Sequence, residues 1–245
     1  MMAKIISNKL VDKNYFLMEV ELKNKNIIPG QFFMLRGWDL YPTLSRPISV
    51  FDKTDNSVSF LYELRGEGTK ILSKLSQGDN INLYGPYGNG FNFNNIREIS
   101  LVGGGVGTAP FYYLSKAIIK ANRGVRIDFY IGEREYQNLE NIFSPLNDLG
   151  VNLIIKKGGF ITDILNFEKK LIYTCGPMIM MEKIIDMGIE NDADVYVSLE
   201  NRMGCGVGAC LSCSTKTKSG NKRSCKEGPV FRGIDLLWID LALKF

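Results

Sequence analysis

The chain contains no histidine among its 245 residues. That absence removes imidazole acid–base catalysis, Ser–His triads, His-ligated zinc and CxxCH haem attachment together. Also missing is any apolar run near the roughly 20 residues that a membrane span requires. Residues 1–10 lack the apolar core and cleavage site of a secretory signal, so a cytoplasmic address is expected. Charge bias is absent too: 30 basic and 26 acidic residues are interspersed, with no basic run to mark a nucleic-acid or anionic-membrane surface. Internal repeats and low-complexity tracts are likewise missing. What remains for chemistry is thiolates, carboxylates, amines, backbone dipoles and bound cofactors.

Three textures follow one another along the chain. Residues 1–96 carry short apolar or β-branched runs at 4–11, 15–22, 31–35, 48–51, 58–61 and 80–83. Turn residues such as Pro29-Gly30, Gly78-Asp79 and Gly85-Pro86 separate them. This pattern predicts an antiparallel β-barrel with one helical interruption at 69–75. Residues 97–199 alternate instead between strand-like runs (99–102, 126–131, 151–155, 171–174, 195–199) and helical spacing (109–121, 178–187). Continuous β-branched strands alternating with helices predict a doubly wound parallel sheet. Residues 200–245 form a small third unit that holds four of the five cysteines. The expected fold is therefore multidomain, α/β plus β.

The strongest chemical signal is Cys205-x4-Cys210-x2-Cys213, with Cys225 further on. A C-x4-C-x2-C opening with a distant fourth cysteine is the plant-type [2Fe–2S] pattern. Gly204, Gly206 and Gly208 suit a loop that wraps a cluster, since positive φ is cheap for glycine. A four-cysteine zinc site would favour paired short spacings, and only Cys210–Cys213 is plainly of that kind. A disulfide framework sits poorly with an odd cysteine count. Iron–sulfur is the reading preferred, with a zinc-holding interaction module as its rival from another class. Cys175, in Cys175-Gly176-Pro177, is either a packed thiol or a cofactor contact at a strand's carboxyl end.

Three further strings point to nucleotides, each with an ordinary structural explanation beside it. Arg46-Pro47-Ile48-Ser49 offers a guanidinium for pyrophosphate and a hydroxyl for a ring edge, although Arg-Pro also opens ordinary strands. Gly66-Glu67-Gly68-Thr69 precedes a predicted helix and is either an anion site or a plain glycine turn with an N-cap. Gly103-Gly104-Gly105-Val106-Gly107-Thr108-Ala109-Pro110 joins a strand to a helix, the context of a dinucleotide loop, without strict G-x-G-x-x-G spacing. Simple helix–sheet packing is its alternative. Gly132-Glu133-Arg134 offers both an acid for a ribose hydroxyl and a cation for a 2′-phosphate, so NAD and NADP stay undivided.

Together these strings resemble the ferredoxin–NADP reductase superfamily. Residues 200–210, Glu-Asn-Arg-Met-Gly-Cys-Gly-Val-Gly-Ala-Cys, and 225–231, Cys-Lys-Glu-Gly-Pro-Val-Phe, resemble the electron transfer subunits of dihydroorotate dehydrogenase B within it. The resemblance spans essentially the whole chain. It implies FAD on the barrel, contacted by Arg46 to Ser49, then Leu61, Tyr62 and Glu63, with Gly68 and Thr69 at the pyrophosphate. It implies NAD at Gly103, Gly104, Gly105 and Gly107, and a [2Fe–2S] cluster at Cys205, Cys210, Cys213 and Cys225. It also implies an FMN-bearing catalytic subunit that oxidises dihydroorotate in pyrimidine biosynthesis, two of each chain forming a heterotetramer. The nearest alternative is the flavin subunit of an NAD(P)H–ferredoxin oxidoreductase or sulfide dehydrogenase. Two departures stand out: Ile48 where superfamily members often carry tyrosine, and Gly204 where alanine is expected.

Overall fold

The computed structural model describes residues 1–23, 26–134 and 138–237; the last part of the expected third unit, 238–245, lies outside them. The first region forms β1 (Met2–Asp12), β2 (Tyr15–Glu21), β3 (Phe32–Arg36), β4 (Arg46–Ser49), β5 (Asp52–Lys53), β6 (Ser57–Glu63) and β7 (Asn80–Tyr87), with helix α1 (Glu67–Lys74) before β7. These strands make one seven-stranded sheet in the order β4-β3-β7-β1-β2-β6-β5. Its pairings are antiparallel. Phe33 on β3 and Phe60 on β6 meet edge to face with centroids 5.7 Å apart, because the sheet curls into a barrel. Met18, Val20, Leu35, Val58 and Leu83 fill the same interior.

One expected strand is divided. The run 48–51 reads as continuous, but β4 starts at Arg46 and ends at Ser49. The Val50 N–H then donates to Gln31 O (3.0 Å) and the Phe51 N–H to Ser59 O (2.8 Å). The chain thus leaves β3 for β6 at a buried corner, which apolar character alone does not reveal.

The second region contains β8 (Glu98–Gly104), α2 (Pro110–Ala121), β9 (Arg126–Glu133), α3 (Glu140–Phe143), β10 (Asn152–Lys157), β11 (Leu171–Cys175), α4 (Met178–Glu190) and β12 (Asp194–Ser198). Pro110 opens α2, where its missing N–H costs nothing. The short α3 and the 3₁₀ turn Ser144–Leu149 after it were not expected from the sequence. Strand order is β10-β9-β8-β11-β12, all parallel. The sheet grows one way from β8 and resumes on its other side at β11, so a crevice opens where their carboxyl ends diverge.

The third region adds the hairpin β13 (Ser214–Thr217) and β14 (Gly220–Arg223), then β15 (Val230–Arg232). β15 returns to the parallel sheet and pairs antiparallel with β12, Val197 facing Phe231. The barrel and the sheet share a core in which Tyr15, Phe51, Leu61 and Phe91 meet Phe111, Leu114 and Phe129. The Lys116–Asp52 ion pair and the Tyr113 hydroxyl, donating to Ile27 O at 2.9 Å, bind the two together. Among the described residues no helix is long and apolar enough to cross a membrane.

Candidate functional site

A cleft of about 1310 Å³ lies between barrel and parallel sheet. Most of the residues singled out from sequence meet there. β4 supplies Arg46, Pro47, Ile48 and Ser49, and the end of β6 supplies Leu61, Tyr62 and Glu63. Thr69 joins them from α1, and Gly104, Gly105 and Gly107 from the loop after β8. Gly68, Gly103 and Cys175 stand behind this wall.

Gly68 explains the anion end of the cleft. A β-carbon there would lie 2.5 Å from Arg46 Nε, so only glycine lets this guanidinium rest on the first turn of α1. Arg46 also lies over the Trp38 ring, 5.6 Å from its centroid. The Thr69 hydroxyl accepts from the Arg65 and Gly66 N–H groups (2.9 and 3.2 Å) and closes the turn. A fixed cation beside a helix N-terminus suits a pyrophosphate.

The apolar floor is rigid. Tyr62 stacks on Phe16 (5.7 Å), and its hydroxyl donates to Asn8 Oδ1 (3.0 Å). Burial pushes the Tyr62 hydroxyl well above the ordinary phenol range, so it stays neutral. Glu63 accepts from Asn14 Nδ2 (2.8 Å) and Arg65 Nε (2.7 Å), which orients its carboxylate at the cleft.

The glycine-loop end of the cleft is built by close backbone approach. Gly107 presses against the turn after β11: a β-carbon there would stand 2.5 Å from Cys175 O and 2.6 Å from Gly176 Cα. At Gly104 one would meet Pro177 Cδ at 2.8 Å. Gly105 adopts φ +56, the left-handed region that favours glycine. Gly103 does not reach the cleft and packs on Thr108 instead. The Cys175 thiol is buried in the core near the Ser198 side chain, and burial raises its pKa far above the ordinary thiol range. Cys175 therefore reaches the site through its carbonyl, against Gly107.

Glu133 points elsewhere than a ribose-binding acid would. Its Oε2 accepts from the Leu139 N–H (2.6 Å), and Lys157 Nζ is 3.4 Å from Oε1. Burial raises its pKa. The acid holds Leu139, the residue before α3, and Glu133 and Arg134 both belong to the cleft lining.

Sequence reasoning assigned no site role to several cleft residues: Tyr15, Phe32, Gly158 to Thr162, Glu200 and Met203. Gly158-Gly159, both at positive φ, was a legible turn signal. The Thr162 hydroxyl is buried with no hydrogen-bond partner among the described residues. Water reaches Glu200 through the open cleft, yet protein atoms crowd it on nearly every side. Burial raises its pKa, opposed by the Arg65 charge and reinforced by that of Glu63.

Behind Phe32 and Met203 lie the clustered cysteines. Those two residues, with Met34 and Tyr87, pack against Cys213 and Cys225. The Cys213 thiol donates to the Cys225 sulfur (3.3 Å), and both are buried. Cys205 and Cys210 sit on the outer side. The Ala209 and Cys210 N–H groups donate to Cys205 Sγ (3.3 and 3.4 Å). The Cys210 N–H chiefly lowers the Cys205 pKa. Ser212 hydrogen bonding to Cys210 lowers that thiol to about 6. Desolvation, then Cys213, pushes Cys225 up to about 12. Gly206 and Gly208 hold φ of +74 and +83, and a β-carbon at Gly206 would meet Met34 and the Tyr87 ring at 2.9–3.0 Å. Amides aimed at sulfur on a glycine loop fit an iron–sulfide cluster, which needs anionic ligands and N–H donors around them.

The relatives of this chain agree with that geometry. Residues 200–237 match the family described as the iron-sulfur cluster binding domain of dihydroorotate dehydrogenase B. A protein of Clostridium acetobutylicum named dihydroorotate dehydrogenase B (NAD(+)), electron transfer subunit, is 42% identical over 245 residues, covering 97% of each chain. The protein of that name from Clostridium perfringens is 42% identical and covers 96% of each. This chain belongs to the family of dihydroorotate dehydrogenase B electron transfer subunits. A solved NADH-dependent reduced ferredoxin–NADP oxidoreductase superposes on this family member with a TM-score of 0.87 at 26% identity, over 99% of this chain and 92% of the other.

In this member of the family the cysteine loop is clamped from outside. Arg223 pairs bidentately with Glu227, and its Nη1 donates to Gly208 O (3.0 Å). Arg223 holds the Glu227 carboxyl down from 4.5 to about 2. A depressed carboxyl pKa stabilises the fold above the unfolded value and ceases to do so as pH falls through the folded one. Glu227→Gln is expected to flatten the decline in denaturation midpoint between these two pH values; a decline as steep as the wild type's would show that the clamp does not contribute.

Proposed function

We propose that this chain is the electron transfer subunit of an NAD+-linked dihydroorotate dehydrogenase, with FAD in the cleft and a [2Fe–2S] cluster at Cys205, Cys210, Cys213 and Cys225. Its partner is an FMN-bearing catalytic subunit, two of each chain forming a cytoplasmic heterotetramer, and NAD+ is the final acceptor. One observation carries this reading: Phe32 and Met203 form the cleft wall on one side and the cysteine site wall on the other. The two proposed redox sites thus have these two side chains in common.

When bound, a flavin and a one-electron cluster convert between single electrons and a hydride equivalent. The chain's own work is binding and placement. Arg46 and the first turn of α1 neutralise pyrophosphate charge, Gly68 making room for the guanidinium. Ser49 offers its hydroxyl to the ring edge, with Leu61, Tyr62 and Glu63 as the opposing wall. Gly104, Gly105 and Gly107 admit the dinucleotide at the switch point of the sheet, with Gly103 and Cys175 supporting them from behind. Residues 1–96, 97–199 and 200–245 serve as flavin, nucleotide and cluster units. Ile48 provides no aromatic ring for stacking, and the rings on the cleft wall are those of Tyr15, Phe32, Tyr62 and Phe160. The base that deprotonates dihydroorotate belongs to the partner.

Anaerobic addition of dihydroorotate to the purified two-subunit complex is expected to bleach both flavin and iron–sulfur absorption. Absence of bleaching rejects the assignment, and zinc in a colourless protein rejects the redox reading altogether. Arg46→Ala is expected to weaken FAD binding by about ten- to a hundredfold, as loss of a charge-assisted contact of about 1.5–3 kcal/mol implies. Flavin fluorescence titration measures it, and unchanged affinity would remove Arg46 from the site.

A further inference from the structure

We infer that Asn201 is the positioning residue that fixes the buried half of the cysteine site to the wall of the cofactor cleft. The inference rests on the proposed function and names a role for a residue that binds neither iron nor sulfide. Asn201 follows β12 and lines the cleft. Its carboxamide Nδ2 faces three acceptors: Cys213 O at 3.2 Å, Thr215 Oγ1 at 2.6 Å and Ser224 Oγ at 2.7 Å. These come from two separate segments. Cys213 immediately precedes β13 and Thr215 lies on it, whereas Ser224 immediately precedes Cys225. The Ser224 N–H also donates to Cys213 O (3.1 Å), so the two segments meet at that carbonyl.

Burial makes this junction consequential. Ser224 is 0% and Thr215 2% exposed, so in the folded chain these two hydroxyls meet the Asn201 amide rather than bulk water. Chain connectivity then carries the constraint to the cleft. On one side of Asn201 the Leu199 N–H donates to Pro229 O (2.9 Å). On the other, Met203 packs on Cys213 and Cys225. Asn201 is thus the side-chain tie between the inner cysteine pair and the wall through which electrons must pass. The chemistry requires an amide. Alanine leaves the three acceptors without this donor. Aspartate would set an anionic oxygen against the Cys213 carbonyl and beside two thiolates.

The test uses the purified two-subunit complex with its cofactors. Wild-type iron and sulfide content is measured first; their absence defeats the cluster reading itself and is distinct from failure of this inference. Iron release to a chelator and the electron-paramagnetic spectrum of the reduced protein are then compared in Asn201→Ala and Thr215→Val. Outer partners of metal ligands typically matter by 10–100-fold, so Asn201→Ala is expected to lose iron at least about tenfold faster, with altered g-anisotropy. Thr215→Val removes one acceptor from the network and is expected to shift both readouts in the same direction by less. Release within about twofold of wild type and superimposable spectra in both variants overturn the inference. Should Asn201→Ala fail to fold, Thr215→Val decides alone: wild-type release and spectrum in it are the overturning result.

Discussion

Cys210→Ser is expected to empty the cluster site and abolish electron passage from the partner subunit to NAD+, while FAD stays bound. Serine keeps the shape of cysteine but is a poor ligand for iron, and Cys210 has no neighbouring thiol in reserve, since Cys175 is buried inside the parallel sheet. A fall of at least about a hundredfold in dihydroorotate:NAD+ turnover is expected, since losing merely an outer partner of a metal ligand can already cost that much. Iron analysis, flavin content and NADH oxidation by an artificial acceptor separate the effects. The last two should survive, because the flavin contacts proposed above come from β4, β6 and α1 and none of them passes through the cysteine loop. Loss of flavin together with iron would show that the two sites are not independent.

Gly107→Ala is the second large effect. The added methyl group would meet Cys175 O at 2.5 Å and Gly176 Cα at 2.6 Å, both backbone atoms that cannot turn aside. Either the loop after β8 or the turn after β11 must move, and these two segments frame the nucleotide end of the cleft. Overpacking of this kind costs about 1–3 kcal/mol in stability. Its larger consequence is misplacement of the dinucleotide, and a shift of about 1 Å can cost a hundredfold. The expected result is a fall of about that size in kcat/KM for NADH with an artificial acceptor, flavin content unchanged. Turnover near the wild-type value would mean that the nicotinamide does not use this crevice.

Much of this architecture was legible in the sequence because the governing constraints are local. Strands buried on both faces of a parallel sheet must be apolar throughout, so the runs around Leu101, Phe129 and Ile172 announced themselves. The cysteine spacing was legible because a cluster fixes where its ligands stand along the loop. The hairpin Ser214–Thr217 with Gly220–Arg223 was not, since its strands are short and mostly polar. Nor was β15, whose three residues become a strand only because β12 presents an open edge. Glu133 was left open for a different reason: an acid after the second strand suits a ribose, and only the fold shows that the Leu139 N–H and Lys157 engage its carboxylate. The partition formed by Phe32 and Met203 joins residues remote in sequence, and no local pattern encodes such a meeting.

The antiparallel pairing of β15 with β12 bears on how the electrons travel. Residues 199–229, which carry every cluster cysteine, leave the sheet at one strand and re-enter it at the neighbouring one, so the excursion is moored at both ends. A module hung from a single linker would swing between donor and acceptor, and its throughput would slow as the solvent thickened. Here the relay is a stationary stepping stone whose spacing from the flavin cleft is set by the sheet, and its internal transfer rate should not change with added glycerol.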